Sequence, residues 1–231
     1  ARRGEYLDRL AEGGREGSRG VIGYPRSMYY FERFPFWKAF LATVGFGVKV
    51  SPRTDKAIAR EGLELTVAEP CYPIQVAHGH VASLLREGID FLFVPNVINS
   101  ETEHTHTESH FCPWGQTLPF VLGAVPKWEK ELRQKLLSPT VRFRDGEKYV
   151  VEDLLECFGP LGISRREIRD GIRAGYVEQR RFHEFLMSLG AVATAGVDQA
   201  GANAIVLLGR PYNIYDRDIN LNIPAKLRDQ Y

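Results

Sequence analysis

Glu69-Pro70-Cys71-Tyr72-Pro73 runs directly into apolar positions at 74, 77, 81, 84 and 85, and past Gly88 comes Phe91-Leu92-Phe93-Val94. The first pattern has a period near 3.6, which predicts a helix from Pro73 to Glu87 closed by Gly88. The second is apolar at every position, as expected of a strand whose sheet is covered on both faces. Pro95-Asn96 ends it. A helix delivering such a strand points to an α/β architecture.

Outward from this stretch the alternation continues. Upstream, Val21-Ile22-Gly23 reads as a buried strand ending in Tyr24-Pro25-Arg26. Phe36 to Leu41 reads as a helix with Pro35 in its first turn and Gly45 as its stop. Val48-Lys49-Val50-Ser51 is a second strand and Arg53 to Glu61 a short helix. Downstream, residues 97–110 read as a polar loop, and Leu118 to Lys135 as helix broken at Pro119 and Pro126. Val141-Arg142-Phe143 reads as a fourth strand. This order implies an α/β fold: a Rossmann-like parallel sheet flanked by helices and joined by right-handed crossovers.

From Val150 the pattern turns helical, with Ser164-Arg165-Arg166-Glu167 spaced as a capping box. Ala204 to Leu208 then reads as one more buried strand, ending in Gly209-Arg210-Pro211-Tyr212. That ending repeats the form of Gly23-Tyr24-Pro25 at the first strand, a glycine with a proline two residues on, so the chain carries a weak internal duplication. The expected organisation is an N-terminal tail or short helix (1–20) and a first Rossmann-like α/β domain (21–149). A helical connector (150–202) leads to the truncated start of a second α/β lobe (203–231).

Composition narrows the function classes. Among 231 residues, 30 Lys and Arg nearly balance 29 Asp and Glu, for a formal charge of +1. Nucleic-acid and anionic-membrane proteins carry a basic excess that is missing here. No apolar run approaches a membrane-spanning length, and residues 1–20 lack the apolar centre of a signal peptide. Three scattered cysteines fit a reducing cytoplasm better than a disulfide scaffold.

Two cysteines stand at Cys-Pro corners. Cys71 precedes a helical pattern, where free N–H groups and the helix dipole favour thiolate, the nucleophilic and metal-binding form. Cys112, in Phe111-Cys112-Pro113-Trp114, follows the third strand through a loop. The alternative for either is a buried, inert thiol. Cys157 lies in an apolar helical pattern and reads as core. His104, His106 and His110 are close enough in sequence to converge on a zinc ion, although their spacing matches no standard zinc motif and the surrounding Thr, Glu and Ser suit a solvated loop. His78 falls on the apolar helix face and reads as a hydrogen-bonded core residue, whereas His80 sits at its margin, nearer a site. Arg26 and Arg210, with Tyr212, end strands where ligands collect in a parallel sheet and suit an anionic substrate. No phosphate-binding glycine fingerprint appears.

Several blocks then carry a resemblance: Ile22-Gly23-Tyr24-Pro25-Arg26, Phe34-Pro35-Phe36-Trp37, Pro70-Cys71-Tyr72-Pro73 with His78-Gly79-His80, Cys112-Pro113, and Gly209-Arg210-Pro211-Tyr212. From about Arg19 onward they resemble an uncharacterised domain found in, or fused to, CoA-substrate-specific enzyme activases. That domain is similar to the cluster-bearing subunits of 2-hydroxyacyl-CoA dehydratases. The resemblance implies a two-lobed Rossmann-like fold holding an iron–sulfur cluster of the 4Fe–4S type. An ATP-dependent activase, separate or fused, would reduce the cluster, and the electron would go to a CoA-linked substrate. Cys71 and Cys112 match cysteines expected to ligate it. At the third strand the family shows Pro-Cys, whereas here Asn96 follows Pro95. The other readings are a binding or assembly module that has lost its cluster, a zinc protein, or no metal at all, with a dimer among the assemblies allowed.

Overall fold

The computed structural model of the chain describes residues 2–14, 16–104 and 106–230. Six strands occur in chain order: Val21–Tyr24 (β1), Gly47–Val50 (β2), Phe91–Phe93 (β3), Asn96–Asn99 (β4), Leu136–Leu137 (β5) and Thr140–Arg142 (β6). Four build a parallel sheet in the order β2-β1-β3-β5, and β4 and β6 form a separate parallel pair. The helices are Arg2–Glu12 (α1), Tyr30–Thr43 (α2), Lys56–Leu65 (α3), Tyr72–Arg86 (α4), Pro113–Gly123 (α5), Glu129–Lys135 (α6), Glu147–Phe158 (α7), Arg165–Ala200 (α8), Pro211–Tyr215 (α9) and Ile223–Gln230 (α10). The chain leaves β1 for β2 on one side and returns to β3 on the other. Right-handed crossovers therefore place α2 on one face of the sheet and α3 and α4 on the other. The Rossmann-like α/β architecture read from the sequence is the one observed.

Helix α2 is buried all round: Phe34, Phe36, Trp37, Phe40 and Leu41 have no exposed surface. It lies between the sheet and α8, which meets it through two glycines. A Cβ on Gly171 would sit 2.8 Å from the Phe40 ring, and one on Gly175 would sit 2.7 Å from the Phe36 ring. The segments expected as an N-terminal tail and a connector contribute to this same core, through Leu7 and Ala11 and through Val150, Leu154, Phe158, Ile168 and Ile172.

Several local readings need correction. Helix α2 begins at Tyr30, so Pro35 lies inside it rather than in its first turn. A proline there orphans the carbonyl four residues back. That carbonyl is Phe31's, and the Arg3 guanidinium donates to it from α1. Pro119 likewise continues α5 instead of breaking it. Residues 96–99 are not loop but strand β4, because Val97 pairs with Val141 and both are fully buried. Val141 is accordingly in the small ladder, and the fourth strand of the main sheet is Leu136–Leu137. Ala204 to Leu208 is not a strand. It has no partner among the described residues, and it is exposed, with Val206 at 76% and Leu208 at 91% of full accessibility. The second half of α8 is also solvated, and Gly201 turns the chain in the left-handed conformation at its end.

Helices α3 and α4 approach backbone to backbone. A Cβ on Gly79 would fall 1.9 Å from the Ile58 carbonyl oxygen, and one on Gly62 would fall 2.3 Å from the Gln75 oxygen. Relief requires moving a whole helix, since no flexible side chain can yield. Gly79→Ala should therefore lower stability by about 1–3 kcal/mol despite alanine's better helix propensity. Urea unfolding checks this, and a midpoint equal to or above that of the wild type contradicts the packing.

Candidate functional site

The strands are parallel, so their carboxyl ends share one edge of the sheet. Helix α4 returns antiparallel into β3, which puts its N-terminus at that edge. Cys71 is its N-cap, exposed, with Pro73 in the first turn. Cys112 is the N-cap of α5, half-buried, with Pro113 following. Neither thiol makes a side-chain cap hydrogen bond, so first-turn N–H groups of both helices stay open to another acceptor.

Cys112 has a polar setting drawn from three elements. Tyr212 and Arg210 lie beside it; burial pushes the Tyr212 phenol up to about 12, with the Arg210 charge opposing the rise and Cys112 adding to it. Tyr29, in the turn that opens α2, lies beside Cys112, and burial raises its phenol well above the ordinary range. Its ring meets Phe111 edge-on at 4.9 Å. Gly115 makes this possible, because a Cβ there would lie 2.6 Å from the Tyr29 oxygen. Three sequence-predicted residues, Cys112, Arg210 and Tyr212, thus come together from positions about a hundred residues apart.

The others go elsewhere. Arg26 lines a cavity of about 460 Å³ with Asp8, Arg53 and Thr54. Its guanidinium pairs with Asp8 at 2.6 Å, donates to the Ser51 carbonyl at 3.2 Å and lies over the Tyr30 ring at 4.8 Å, which clamps α1 to the sheet edge. His104, His106 and His110 are exposed on the loop. The first two rings are 6.0 Å apart, and His110 Nδ1 lies 3.0 Å from Glu108. Among the described residues no group of three or more His, Cys, Asp or Glu is placed to hold a metal ion. Asn96, where the resemblance leads one to expect Cys, is buried, and its amide donates to Thr140 Oγ1 at 3.3 Å across the β4–β6 pair. Cys157 is half-buried in α7, and burial pushes its thiol up to about 12, which keeps it protonated and unreactive.

The two histidines of α4 are both fully enclosed. His78 Nδ1–H donates to the Ile74 carbonyl at 2.8 Å, the core role read from its position. His80, expected at the margin of a site, anchors a network that the sequence reading missed. The Thr54 hydroxyl donates to the Asp216 carboxylate, so its oxygen accepts His80 Nε2–H at 3.1 Å. Nδ1 is left to accept the Ser51 hydroxyl at 2.9 Å, and Ser51 Oγ in turn accepts the Arg26 backbone N–H at 2.8 Å. The other Asp216 oxygen takes the N–H groups of Asp218 and Ile219 at 3.0 and 3.2 Å. Both nitrogens of His80 are thus engaged by hydroxyls, with no lone pair turned toward a metal. The network ties the segment after α9 to β2, α3 and α4. Ser51 and His80, 29 residues apart, offer no sequence signal for it.

For the expected iron–sulfur cluster the fit is partial. Cys71 and Cys112 supply two thiols, each at a helix N-terminus, while a 4Fe–4S cluster takes four thiolates. A family model described as a CoA enzyme activase uncharacterised domain matches residues 21–230. No curated protein and no solved structure matches the chain.

The network has a pH signature. Burial, reinforced by the Arg26 charge, lowers the His80 pKa to about 3. Its folded value lies below its unfolded one, so the unfolded chain binds the extra proton. His80's contribution is fully present above about pH 6.5 and is lost as pH falls toward about 3. His80→Gln, which cannot titrate, should flatten the stability profile by up to roughly 1.4 kcal/mol per pH unit between about pH 4 and 6. Urea midpoints across that range test it; parallel profiles for variant and wild type would show that His80 is not held neutral.

Proposed function

Since the chain belongs to the family of the CoA enzyme activase uncharacterised domain, we propose that it is an iron–sulfur electron-transfer or reductase component of a 2-hydroxyacyl-CoA-dehydratase-like system, working with an ATP-dependent activase. The observation that carries this reading is the pair of thiols, each capping a helix at the carboxyl edge of the parallel sheet, where such folds bind ligands. Cys71 and Cys112 would hold the cluster, with its remaining ligands coming from outside the described residues. When bound, the cluster would supply single-electron transfer. The residues of this chain provide the setting: two helix N-termini, with Tyr212 beside Cys112. Arg210, next to Tyr212, adds positive charge to the same place. An ATP-driven partner, as a separate protein or a fused domain, and a CoA-linked substrate belong to the same proposal.

A second reading has its own support. Asn96 spends its amide on strand pairing, and no third ligand joins either thiol among the described residues. Both facts favour a binding or assembly module for the activase that no longer carries a cluster.

Metal analysis of the full-length protein, purified without oxygen, separates the readings. Iron and acid-labile sulfide with broad visible absorption are expected, and Cys71→Ser and Cys112→Ser should each remove most of the iron. Cys71 is exposed and contributes little packing, so its variant should unfold at the wild-type midpoint. A colourless, iron-free preparation would sink the cluster reading in favour of the module. Zinc in place of iron, lost in His106→Ala, would replace it with a zinc site.

A further inference from the structure

A cavity of about 880 Å³ forms an open groove that does not include either thiol. Helix α8 forms one wall, α2 contributes Glu32, and Ser100, Glu101 and Phe111 with Pro211 at the start of α9 complete the lining. Its volume lies within the range of sites for nucleotide-sized molecules.

The chemistry of the lining is divided. Phe111, Tyr176 and Phe182 supply aromatic surface. Arg173 and Arg180, seven residues apart and therefore on one face of α8, are exposed at the rim. Arg173 has only a loose pairing with Asp170, at 3.7 Å.

Glu32 is the unusual member. Neighbouring Glu101 takes the Arg33 guanidinium and the Tyr176 hydroxyl. Glu32 feels the charges of Arg33, Arg3 and Arg210 but receives no hydrogen bond from any described residue, and burial raises its carboxyl pKa. A half-buried carboxylate with no protein donor, lining an open groove, is free to accept one from a ligand.

We propose that this groove binds an organic anion of up to nucleotide size, with an oxyanion head on Arg173 and Arg180, an aromatic or apolar body against Phe111, Tyr176 and Phe182, and a hydroxyl or N–H donating to Glu32. Guanidiniums suit both phosphate and carboxylate heads, and aromatic walls suit a flat ring. Phe111 immediately precedes Cys112, and Pro211 stands between Arg210 and Tyr212, so one end of the ligand lies beside the thiol corner. The inference holds with or without metal at that corner.

Titration calorimetry on the full chain tests it with two probes, AMP for a phosphate head and N-acetylphenylalanine for a carboxylate. Binding of at least one is expected, and which one binds identifies the head group. Arg180→Ala removes an exposed side chain without touching the core, and it should weaken that probe by roughly tenfold. Glu32→Gln, which removes the charged acceptor, should weaken it to a similar degree. Silence from both probes up to about 10 mM, or wild-type affinity in both variants, overturns the proposal.

Discussion

The structure depends on the fit of α2 against α8. Helix α2 exposes no face to water along its aromatic length, so the sheet must cover one side and another helix the other. Glycines 171 and 175 let α8 come close enough to do so, accepting Phe40 and Phe36 as knobs in shallow notches. Each large side chain buried there stabilises the fold by about 1.5–3 kcal/mol. No part of α2 could be given back to solvent without losing several such contributions at once.

That anchoring also fixes the sheet edge where the chemistry gathers. The turn opening α2 places Tyr29 against Cys112 and Phe111, and its first turns set Glu32 into the groove. Arg3 reaches across to the carbonyl left over by Pro35, which ties α1 to the same helix. On the opposite face, the glycine contact between α3 and α4 brings His80 within hydrogen-bond reach of Thr54 and Ser51. Asp216 completes that chain from the far end of the sequence. The edge is therefore assembled from both faces of the sheet, with the C-terminal segment held across it by polar contacts more than by apolar ones.

What could be read from the residues was mostly what local pattern decides. The strands around Ile22, Val48 and Leu92, helix α4 and the Ser164 capping box follow from periodicity and side-chain chemistry within a few residues. The misreadings share a different cause. Pro35 looks like a first-turn residue and Pro119 like a break until a tertiary partner or a packed surface outweighs the lost hydrogen bond. Asn96 to Asn99 looks polar, yet Val97 is paid for by a strand more than forty residues away. Leu136-Leu137 is too short to declare itself. Of the site, the thiol corners were accessible through strand-end logic, whereas the strand expected to deliver Arg210 and Tyr212 is not formed, so their place beside Cys112 was not. The roles of Thr54 and Asp216 were not, since a threonine and an aspartate 162 residues apart carry no shared pattern.

The exposed stretch from Ala204 to Leu208 has a colloidal consequence. It is short, uncharged, rich in β-forming side chains and unpaired, the composition that promotes sticking between copies once molecules are crowded. Shelf life and usable concentration are then set by five residues outside the core, however firmly the aromatic helix is held. A single charge at Val206 would act as a gatekeeper there, improving solubility while leaving the folded interior untouched.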